Sequence, residues 1–381
     1  MRILHTSDWH LGRILHEHSL LPDQGKFLED LLAHLRESRY EALVIAGDIF
    51  DRSIPSEEAV ELWNHFLEDF AAACPDTSLL AIAGNHDSAT RLALASRLIE
   101  RAGIHIRGVA ERLEDPVTVR DVDGAIARVW MLPFLWSGSL YQDRVEGRFA
   151  LQTQEEALAE AVRLIRTKLN PAELNLLVAH CFASGAQVSD SERTLVGTAA
   201  QIDPRLFQDF DYVALGHLHR PQALGPRMRY SGTPLPYSFS ESTQVKAMAA
   251  VTLRKGFDPV VADIPVIPLR PMKDLRGTLH ELETDPGYAG LGETYVRVSL
   301  TEPSPVGQPV VRLRLRFPFL LEFQEYLSPQ PGPMDAPSER LELDLLDEFK
   351  DFERHLRGEA GAPEGLLAAF SDLRGEMERA R

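Results

Sequence analysis

The sequence predicts an α/β protein in which short buried strands alternate with amphipathic helices. Apolar segments recur along the first two-thirds of the chain without the strict alternation of strands that are exposed on one face. Such segments are typical of strands buried on both faces. Because helical patterns lie between them, we expect a layered α/β architecture. The predicted strands are Ile3–Thr6, Ala42–Ala46, Leu79–Ala83, Ile126–Pro133, Asn175–Ala179, Tyr212–Leu215 and Ala247–Leu253.

The clearest predicted helix spans Ser56–Phe70. Glu57 and Glu58 put negative charge in its first turn, where it favours a helix N-terminus. Trp63 and Phe66 recur at helical spacing. Aromatic side chains this large are unusual on a surface helix, so we expect this face to meet a partner. Two further helices are predicted at Thr90–Ala102 and Glu155–Leu169.

The last third of the chain is predicted to hold a linker, a small domain and a helical tail. Prolines punctuate Val260–Pro271, which reads as a linker. Val311–Phe317 alternates arginine with apolar residues and predicts a strand with one basic face. A proline-rich stretch at Ser328–Ser338 precedes two amphipathic helices. The helical stripes are Leu341, Leu345, Phe349, Phe352 and Leu356, and then Leu366, Phe370, Leu373 and Met377. We therefore predict domains at 1–265, 266–330 and 331–381.

The composition excludes several classes of protein. With 44% hydrophobic and 25% charged residues, the chain is not disordered as a whole. No stretch reaches about 18 consecutive apolar residues, which excludes a membrane-spanning helix. Cys74 and Cys181 are too few for a disulfide framework. Met1–Leu4 runs straight into a polar motif, which leaves no room for a removable leader, so we expect a cytoplasmic protein.

The net charge of −17 weighs against a nucleic-acid substrate, because the long-range field repels phosphate. Such a substrate would need local basic patches and bound cations that reverse the field at the site. Arg13, Arg52 and Arg91 lie in or near the polar motifs described next. Arg312, Arg314 and Arg316 form the basic face of the strand predicted at 311–317, for which an ordinary solvated strand is the alternative.

Five polar motifs occur along the predicted sheet, and four of them directly follow a predicted strand. Ligands of α/β proteins bind at the carboxyl ends of the strands. Sheet neighbours bring those ends together, so the motifs predict one shared site. They are Asp8-Trp9-His10, Gly47-Asp48-Ile49-Phe50-Asp51, Gly84-Asn85-His86-Asp87, His180, and Gly216-His217-Leu218-His219.

The residue types in these motifs indicate divalent transition metals. Imidazole and carboxylate together favour Mn, Fe or Zn over Ca and Mg. Seven donors are too many for one ion but suit two, and the Asp48 carboxylate can bridge them. Two ions about 3.5–4 Å apart form the clamp that is used in phosphoryl displacement.

Each motif taken alone has a structural alternative, such as a turn or a helix cap. Their joint occurrence, in this order, favours the metal site. The remaining histidines are interpreted as surface or core residues: His5, His16, His18, His34, His65, His105, His280 and His355.

The motifs, in this order, resemble those of the calcineurin-like metallophosphoesterase superfamily. Within it, segments 5–13, 47–52 and 231–234 are most similar to bacterial DNA nucleases that act with an ATPase partner. The resemblance covers about the first 265 residues well. It implies a four-layer α/β/β/α sandwich with a small α+β capping domain and C-terminal helices.

The resemblance also implies a role for each motif residue. One metal would be held by Asp8, His10 and His219, and the other by Asn85, His180 and His217, with Asp48 shared. His86 would be the general acid that protonates the departing sugar oxygen. Asp51 would hold and orient His86, as a carboxylate often does for imidazole. Archaeal and eukaryotic relatives tend to have histidine at this position, so a simple loop cap is the alternative for Asp51.

By the same resemblance, the chain would be a manganese-dependent DNA nuclease. Such enzymes degrade duplex ends from 3′ to 5′ and cut single-stranded and hairpin DNA. The helices at 56–70 and 90–102 would form a homodimer, with core packing as the alternative. The C-terminal helices would bind the coiled coil of the ATPase and build a heterotetramer, unless they fold back on their own chain.

Two other functions are compatible with the metal motifs. The first is a small-molecule phosphodiesterase of the same superfamily, which would have little need of the small domain and the helical tail. The second is a non-catalytic scaffold in which the metals only stabilise the fold. His86 argues against the scaffold, because a purely structural site has no use for it.

Overall fold

The computed structural model describes residues 1–136, 141–144, 147–151, 153–187, 201–302, 307–325, 366–367 and 370. Residues Met1–Leu327 form one compact unit and Ser328–Arg381 a second one. The predicted C-terminal helices lie outside the described residues, apart from 366–367 and 370. The predicted domain limits at 265 and 330 stay predictions. No helix in the described part of the chain is long and apolar enough to cross a membrane.

The described strands and helices follow one another in an order that confirms the predicted α/β pattern. The strands are β1 Arg2–Thr6, β2 Ile14–Leu15, β3 His18–Ser19, β4 Ala42–Ile45, β5 Ser78–Ile82, β6 Ile104–Arg107, β7 Val117–Arg120, β8 Ile126–Leu132, β9 Tyr141–Arg144, β10 Gly147–Ala150, β11 Leu174–His180, β12 Tyr212–Gly216, β13 Gln222–Ala223, β14 Met228–Tyr230, β15 Ala247–Thr252, β16 Val260–Pro265, β17 Met272–Gly277, β18 Tyr295–Leu300 and β19 Leu320–Glu325. The helices are α1 Leu21–Glu37, α2 Glu57–Ala73, α3 Ala89–Leu92, α4 Ser96–Ile99, α5 Gln154–Arg166, α6 Leu279–Thr284 and α7 Pro309–Arg316.

Two six-stranded sheets form the centre of the fold. The first has the order β16-β15-β1-β4-β5-β6, and the second has the order β13-β14-β12-β11-β8-β7. In the first sheet β1, β4, β5 and β6 run parallel, and in the second β8, β11, β12 and β14 do. The carboxyl ends of β1, β4 and β5, and those of β11 and β12, therefore lie at one edge of each sheet.

The two sheets face each other between outer layers of helix. Within β4, Val44 belongs to the core between the sheets, whereas Leu43 belongs to the outer core that α1 and α2 cover. The outer face of the second sheet is covered by α5. This arrangement confirms the four-layer sandwich. It also explains the unbroken apolar strands, since alternate side chains enter two different cores.

All seven predicted strands are present, and their ends lie within one residue of the prediction. The helices at 56–70 and 155–169 are also confirmed. Ser56 caps α2 by accepting from the amide of Ala59, and Thr153 and Glu156 form a capping box on α5. The helix predicted at 90–102 is interrupted, because Ala95 adopts a left-handed φ of 58° between α3 and α4.

The aromatic face of α2 is part of the core. The Trp9 ring lies 5.9 Å from the ring of Trp63 and 5.2 Å from that of Phe66. Trp63, Phe66 and Phe70 are all buried against the first sheet. The expectation that these side chains need a partner is therefore wrong, because their own domain covers them.

The strand predicted at Val311–Phe317 is wrong, because this segment forms helix α7. Leu313 and Phe317 are fully buried one helical turn apart, whereas Leu315 is 86% exposed. Packing at helical spacing thus outweighs the period-two pattern. The predicted basic face does not form either. Arg312 pairs with Glu283, and Arg316 donates to the main-chain oxygens of Glu283 and Asp285.

The linker predicted at Val260–Pro271 is wrong over its first half. Residues Val260–Pro265 form edge strand β16, which pairs antiparallel with β15. Pro259 precedes the strand and Pro265 ends it. A proline is tolerated at the ends of an edge strand, because few ladder hydrogen bonds are lost there.

A small sheet of three parallel strands, β17-β18-β19, follows with α6 and α7. It packs on the main sandwich through a buried cluster that includes Leu20, Tyr237 and Tyr295. The Tyr295 hydroxyl donates to the Asp23 carboxylate at 2.6 Å, which ties the small sheet to α1. The small sheet thus closes over the chain segments that flank the polar motifs.

Candidate metal centre

The loops after β1 and β4 are joined to each other by main-chain hydrogen bonds. The amide of Asp8 donates to the carbonyl of Gly47 at 2.9 Å, and the amide of His10 donates to the carbonyl of Asp48 at 3.0 Å. Two motifs that lie far apart in the sequence are therefore held side by side. This brings their carboxylate and imidazole groups to one place.

Four of the seven predicted ligands have left-handed backbone conformations. The φ angles are 55° at Asp8, 45° at His10, 50° at Asp48 and 105° at His217. Such conformations cost about 1–3 kcal/mol each in residues other than glycine, and they concentrate at functional sites. Each turns the chain sharply at a strand end and directs the side chain into the shared site. The concentration of strain supports a functional centre here.

Asp48 lies at the middle of the centre. Donor atoms of His10, Asp48 and His86 lie within 4.8 Å of one another, and so do those of Asp8, Asp48 and His180. Asp48 belongs to both groups and is 98% buried. A carboxylate shared by two donor groups is what a bridging ligand requires.

Asn85 joins the two sheets at the other side of the centre. Its amide oxygen lies 3.0 Å from Nε2 of His180 and 2.9 Å from Nδ1 of His217. Nδ1 of His180 lies 2.8 Å from the carbonyl of Ala46. Because that carbonyl can only accept, Nδ1 carries a proton, and Nε2 is the nitrogen that faces the other donor groups. The three side chains predicted to hold the second metal therefore lie together.

His219 is supported by two residues that the sequence analysis missed. Its Nδ1 lies 3.2 Å from Oε1 of Glu241, and Nζ of Lys246 lies 2.7 Å from Oε2 of the same carboxylate. Glu241 is fully buried. Both residues lie more than 20 positions from the histidine motif, so no local pattern marks them. A carboxylate on the far nitrogen of an imidazole fixes which nitrogen faces a metal.

The electrostatics of the centre favour the neutral form of two imidazoles, those of His10 and His217. Burial holds the pKa of His10 well below its usual range, and neither of its ring nitrogens has a hydrogen-bond partner among the described residues. Burial and the neighbouring His180 lower the pKa of His217 to about 3. Metal ligation requires imidazole without its second proton. The unpaired nitrogens of His10 therefore fit a bound cation.

The pKa values of Asp8, Asp48 and His180 are shifted by burial and by the charges that these three residues place on one another. Burial, helped by Asp48, raises the pKa of Asp8 to about 6. Burial also opposes ionisation of Asp48, but the neighbouring His180 outweighs it and lowers the pKa of Asp48. In turn, Asp48 overcomes the burial of His180 and raises its pKa to about 9. Divalent cations would balance this buried charge, so carboxylate, amide and imidazole donors together fit two such ions.

Three glycines leave room for the ligands. A Cβ on Gly84 would overlap the carboxylate of Asp48, and one on Gly47 would overlap the ring of His180. A Cβ on Gly216 would overlap the carbonyl of Ala46. The glycines that begin three of the motifs are therefore required by close packing around the donors.

His86 lies beside the donor groups and is held by its main-chain neighbours. Its amide donates to Oδ1 of Asp48 at 2.8 Å, and its Nδ1 lies 2.8 Å from the carbonyl oxygen of Asp51. The prediction that the Asp51 carboxylate orients His86 is wrong about the atom. That carboxylate accepts from Arg13 at 2.7 Å and lies 3.6 Å from Nδ1 of His10. The main chain of Asp51 orients His86 instead.

Asp87 is a third residue whose role the sequence analysis missed. Its carboxylate accepts from the amides of Gly84 at 2.9 Å, Phe50 at 2.9 Å and Ile49 at 3.1 Å. These bonds link the loop after β5 to the loop after β4. The last residue of Gly-Asn-His-Asp therefore holds the two loops that carry Asp48 and Asn85 together.

We expect Glu241→Gln to weaken metal binding about 10- to 100-fold, because the amide cannot support the His219 imidazole as a carboxylate does. Calorimetric titration of the metal-free protein with Mn²⁺ measures the loss. Lys246 would remain charged and buried in this variant, so the double variant Glu241→Gln/Lys246→Met serves as a control for that penalty. Equal Mn²⁺ affinity in the wild type and both variants would contradict the role of Glu241.

Comparison with known proteins identifies the family of this chain. The calcineurin-like phosphoesterase family model matches residues 1–221. Proteins named as the SbcD component of the SbcCD nuclease, from Staphylococcus epidermidis and Staphylococcus saprophyticus, are each 32% identical over 325 residues, which is 84% of this chain and 84% and 83% of theirs. A crystal structure of a dimetal phosphatase from Danio rerio covers 70% of this chain and 97% of its own, at 13% identity and a TM-score of 0.42. The chain therefore belongs to the calcineurin-like phosphoesterase family, in the same group as these SbcD nuclease relatives.

Proposed function

We propose that this chain is a metal-dependent DNA nuclease that acts with an SbcC-type ATPase in the processing, repair and recombination of DNA ends. The observation that carries the proposal is the pair of donor groups that share Asp48, one of which also includes His86. The relatives named as components of the SbcCD nuclease supply the substrate class and the partner. The proposed activities are 3′ to 5′ digestion of duplex ends and endonucleolytic cutting of single strands and hairpins.

The proposed cofactor is a pair of divalent ions, with Mn²⁺ as the expected metal. One ion would be held by Asp8, His10 and His219, the other by Asn85, His180 and His217, and Asp48 would serve both. When bound, such a pair lowers the pKa of a water molecule and neutralises charge on the phosphate. The neutral imidazoles of His10 and His217 and the buried carboxylates of Asp8 and Asp48 support this assignment.

His86 is proposed to donate the proton to the leaving oxygen. The Asp51 carbonyl can only accept, so Nδ1 of His86 carries a proton throughout and Nε2 is the nitrogen that exchanges one. This arrangement suits a general acid whose orientation does not change during the reaction.

Local arginines are proposed to offset the overall negative charge. Arg13 lies next to His10 and is 27% exposed, while Arg52 is 71% exposed. Arg91 donates to the carbonyl of Ser53 at 2.7 Å, which anchors it over the same loop. Arg13 and Arg52 also pair with Asp51, but all three side chains lie beside the donor groups, where they would contact phosphate, whereas Arg312 and Arg316 are engaged within the small domain.

Assembly is proposed to involve two further surfaces. Leu94 and Leu98, on and between the short helices α3 and α4, are 79% and 78% exposed, which suits a homodimer contact. The predicted C-terminal helices are proposed to bind the coiled coil of the ATPase and so build a heterotetramer. A DNA substrate and an ATP-dependent partner both suit the cytoplasmic location expected from the sequence.

The test is a nuclease assay on hairpin and blunt-ended DNA, with metal-free and Mn²⁺-loaded protein compared. We expect Mn²⁺-dependent shortening of the duplex and cutting of the hairpin. Hydrolysis of bis(p-nitrophenyl) phosphate is measured alongside. Intact DNA together with rapid hydrolysis of that small diester would contradict the proposal and favour the small-molecule phosphodiesterase.

A further inference from the structure

Phe134 and Trp136 form an aromatic pair at the edge of the metal centre. They follow β8, whose end lies beside that of β11 in the second sheet. The ring of Phe134 lies 6.0 Å from that of His180 and 6.3 Å from that of His217. Trp136 lies one ring further out, 4.7 Å from Phe134 and at an angle of 69° to it. The pair therefore continues from the donor groups toward solvent.

The pair is held firmly despite its exposure. The amide of Phe134 donates to the carbonyl of Ala83 at 2.8 Å, and Ala83 directly precedes the Gly84-Asn85 motif. Leu135, between the two aromatic residues, is 99% buried and anchors the segment in the outer core of the second sheet. The same main-chain contact thus fixes the position of Phe134 relative to Asn85.

Trp136 stands apart from the other tryptophans of the chain. Trp9, Trp63 and Trp130 are at most 5% exposed, whereas Trp136 is 60% exposed. An indole that protrudes beside the donor groups exposes a large apolar surface. Within the described part of the chain, no packing role accounts for this exposure, whereas a flat ligand that stacks on the indole would.

We propose that Trp136, backed by Phe134, is a stacking platform for an unpaired base next to the scissile phosphate. This inference rests on the proposed nuclease function and deepens it, because it assigns the side chain that would bind the unpaired base of a single strand or frayed end. Every base has a flat π face, so aromatic platforms bind single strands with little sequence preference. The position beside the donor groups favours a base, because the phosphate that joins it to the next nucleotide could then reach the metal centre.

The proposed platform predicts that the protein binds single strands in preference to paired duplex, which the metal centre alone would not produce. In a blunt duplex the bases stack on one another and cannot use the indole without unpairing. In a single strand they are free to do so. We therefore expect Trp136→Ala to weaken the binding of single strands about five- to 150-fold, and that of a fully paired duplex less.

The fluorescence of Trp136 provides a direct readout, because the other three tryptophans are buried. The full-length protein is titrated, in the presence of a chelator, with an oligothymidylate of about twelve nucleotides, a length within usual single-strand site sizes. We expect the oligothymidylate to quench the emission, and an abasic oligonucleotide of equal length and charge to leave it unchanged. Trp136→Phe should retain affinity, since it keeps an aromatic face.

Phe257→Ala is the matched control. Phe257 is another exposed aromatic residue, stacked on Arg254 in the turn after β15, at the end of the first sheet where β1 begins. We expect it to bind single strands like the wild type. Mn²⁺ titration of each variant, together with its thermal unfolding, checks that the fold and the metal centre are intact.

Three outcomes would overturn the platform. Equal affinity of the wild type and Trp136→Ala for single strands, in a chain that cleaves DNA, would reject the platform and leave the nuclease function standing. A chain that neither binds nor cleaves DNA, yet hydrolyses the small diester, would reject both. Loss of affinity for the ATPase partner, with oligonucleotide binding unchanged, would make Trp136 a protein contact instead.

Discussion

His86→Ala is expected to lower the rate of DNA cleavage about 10²- to 10⁴-fold while leaving Mn²⁺ affinity close to that of the wild type. This range is typical for the loss of a positioned general acid. The physical reason lies in the two contacts of His86, which commit its amide to Asp48 and its Nδ1 to Asp51. Only Nε2 remains for proton transfer. Single-turnover cleavage and calorimetric Mn²⁺ titration measure the two effects separately.

The control for this prediction is His65→Ala, an exposed histidine on α2. It should leave both measurements unchanged. The donor atoms of His86 also lie within 4.8 Å of those of His10 and Asp48, which leaves direct ligation as the competing role. If Mn²⁺ affinity fell in parallel with the cleavage rate, His86 would be a ligand and the acid role would be wrong. Recovery of activity with a substrate that has a good leaving group would strengthen the acid role.

The strands could be predicted because burial on both faces leaves a strong trace in the sequence. Each side of β4 enters a core, so the segment is apolar throughout and ends abruptly at Gly47-Asp48. The same reasoning predicted the location of the site, because polar residues that directly follow buried parallel strands meet at the carboxyl edge of the sheet. Local sequence patterns were sufficient where the burial of an element can be read from its own residues, as in β4.

Local patterns failed where distant residues decide the outcome. The helical conformation of 309–316 depends on the burial of Leu313 and Phe317 in the small domain, which alternation cannot reveal. The support of His219 by Glu241 is a tertiary contact. Whether the side chain or the main chain of Asp51 faces His86 depends on a loop conformation that no motif encodes. The left-handed backbone conformations of Asp8, His10, Asp48 and His217 likewise could not be predicted from the sequence.

The centre combines contributions from both sheets. Asn85 belongs to the first sheet, yet its amide contacts His180 and His217 of the second. The amide of His217 in turn donates to the carboxylate of Asp8 at 2.9 Å. Metal bound here would link the two halves of the sandwich. Binding of a ligand only to the folded state raises stability, so metal should strengthen the whole fold.

Asp48→Asn is expected to abolish this stabilisation together with catalysis. An amide offers one neutral oxygen in place of two anionic ones, so it cannot serve both donor groups. At a Mn²⁺ concentration about 100 times the dissociation constant, the wild type should gain about 2.7 kcal/mol in the free energy of unfolding, and the variant close to none. DNA cleavage should fall by more than about 10⁴-fold, a small part of typical enzymatic rate enhancements. Thermal unfolding with and without Mn²⁺, and single-turnover cleavage, measure these effects.

The metal-free proteins should also differ in their response to pH. In the wild type Asp48 raises the folded-state pKa of His180 to about 9, above its unfolded value. The stability that this interaction contributes is therefore complete below about pH 6.5 and is lost as the pH rises through 9. Asp48→Asn removes the charge, so this loss between pH 6.5 and 9 should disappear.

Asp69→Asn, an exposed carboxylate on α2, should behave like the wild type in every measurement. A variant at Asp48 that still gained stability from Mn²⁺ would show that the ions are held without a shared carboxylate, and the paired arrangement would have to be abandoned.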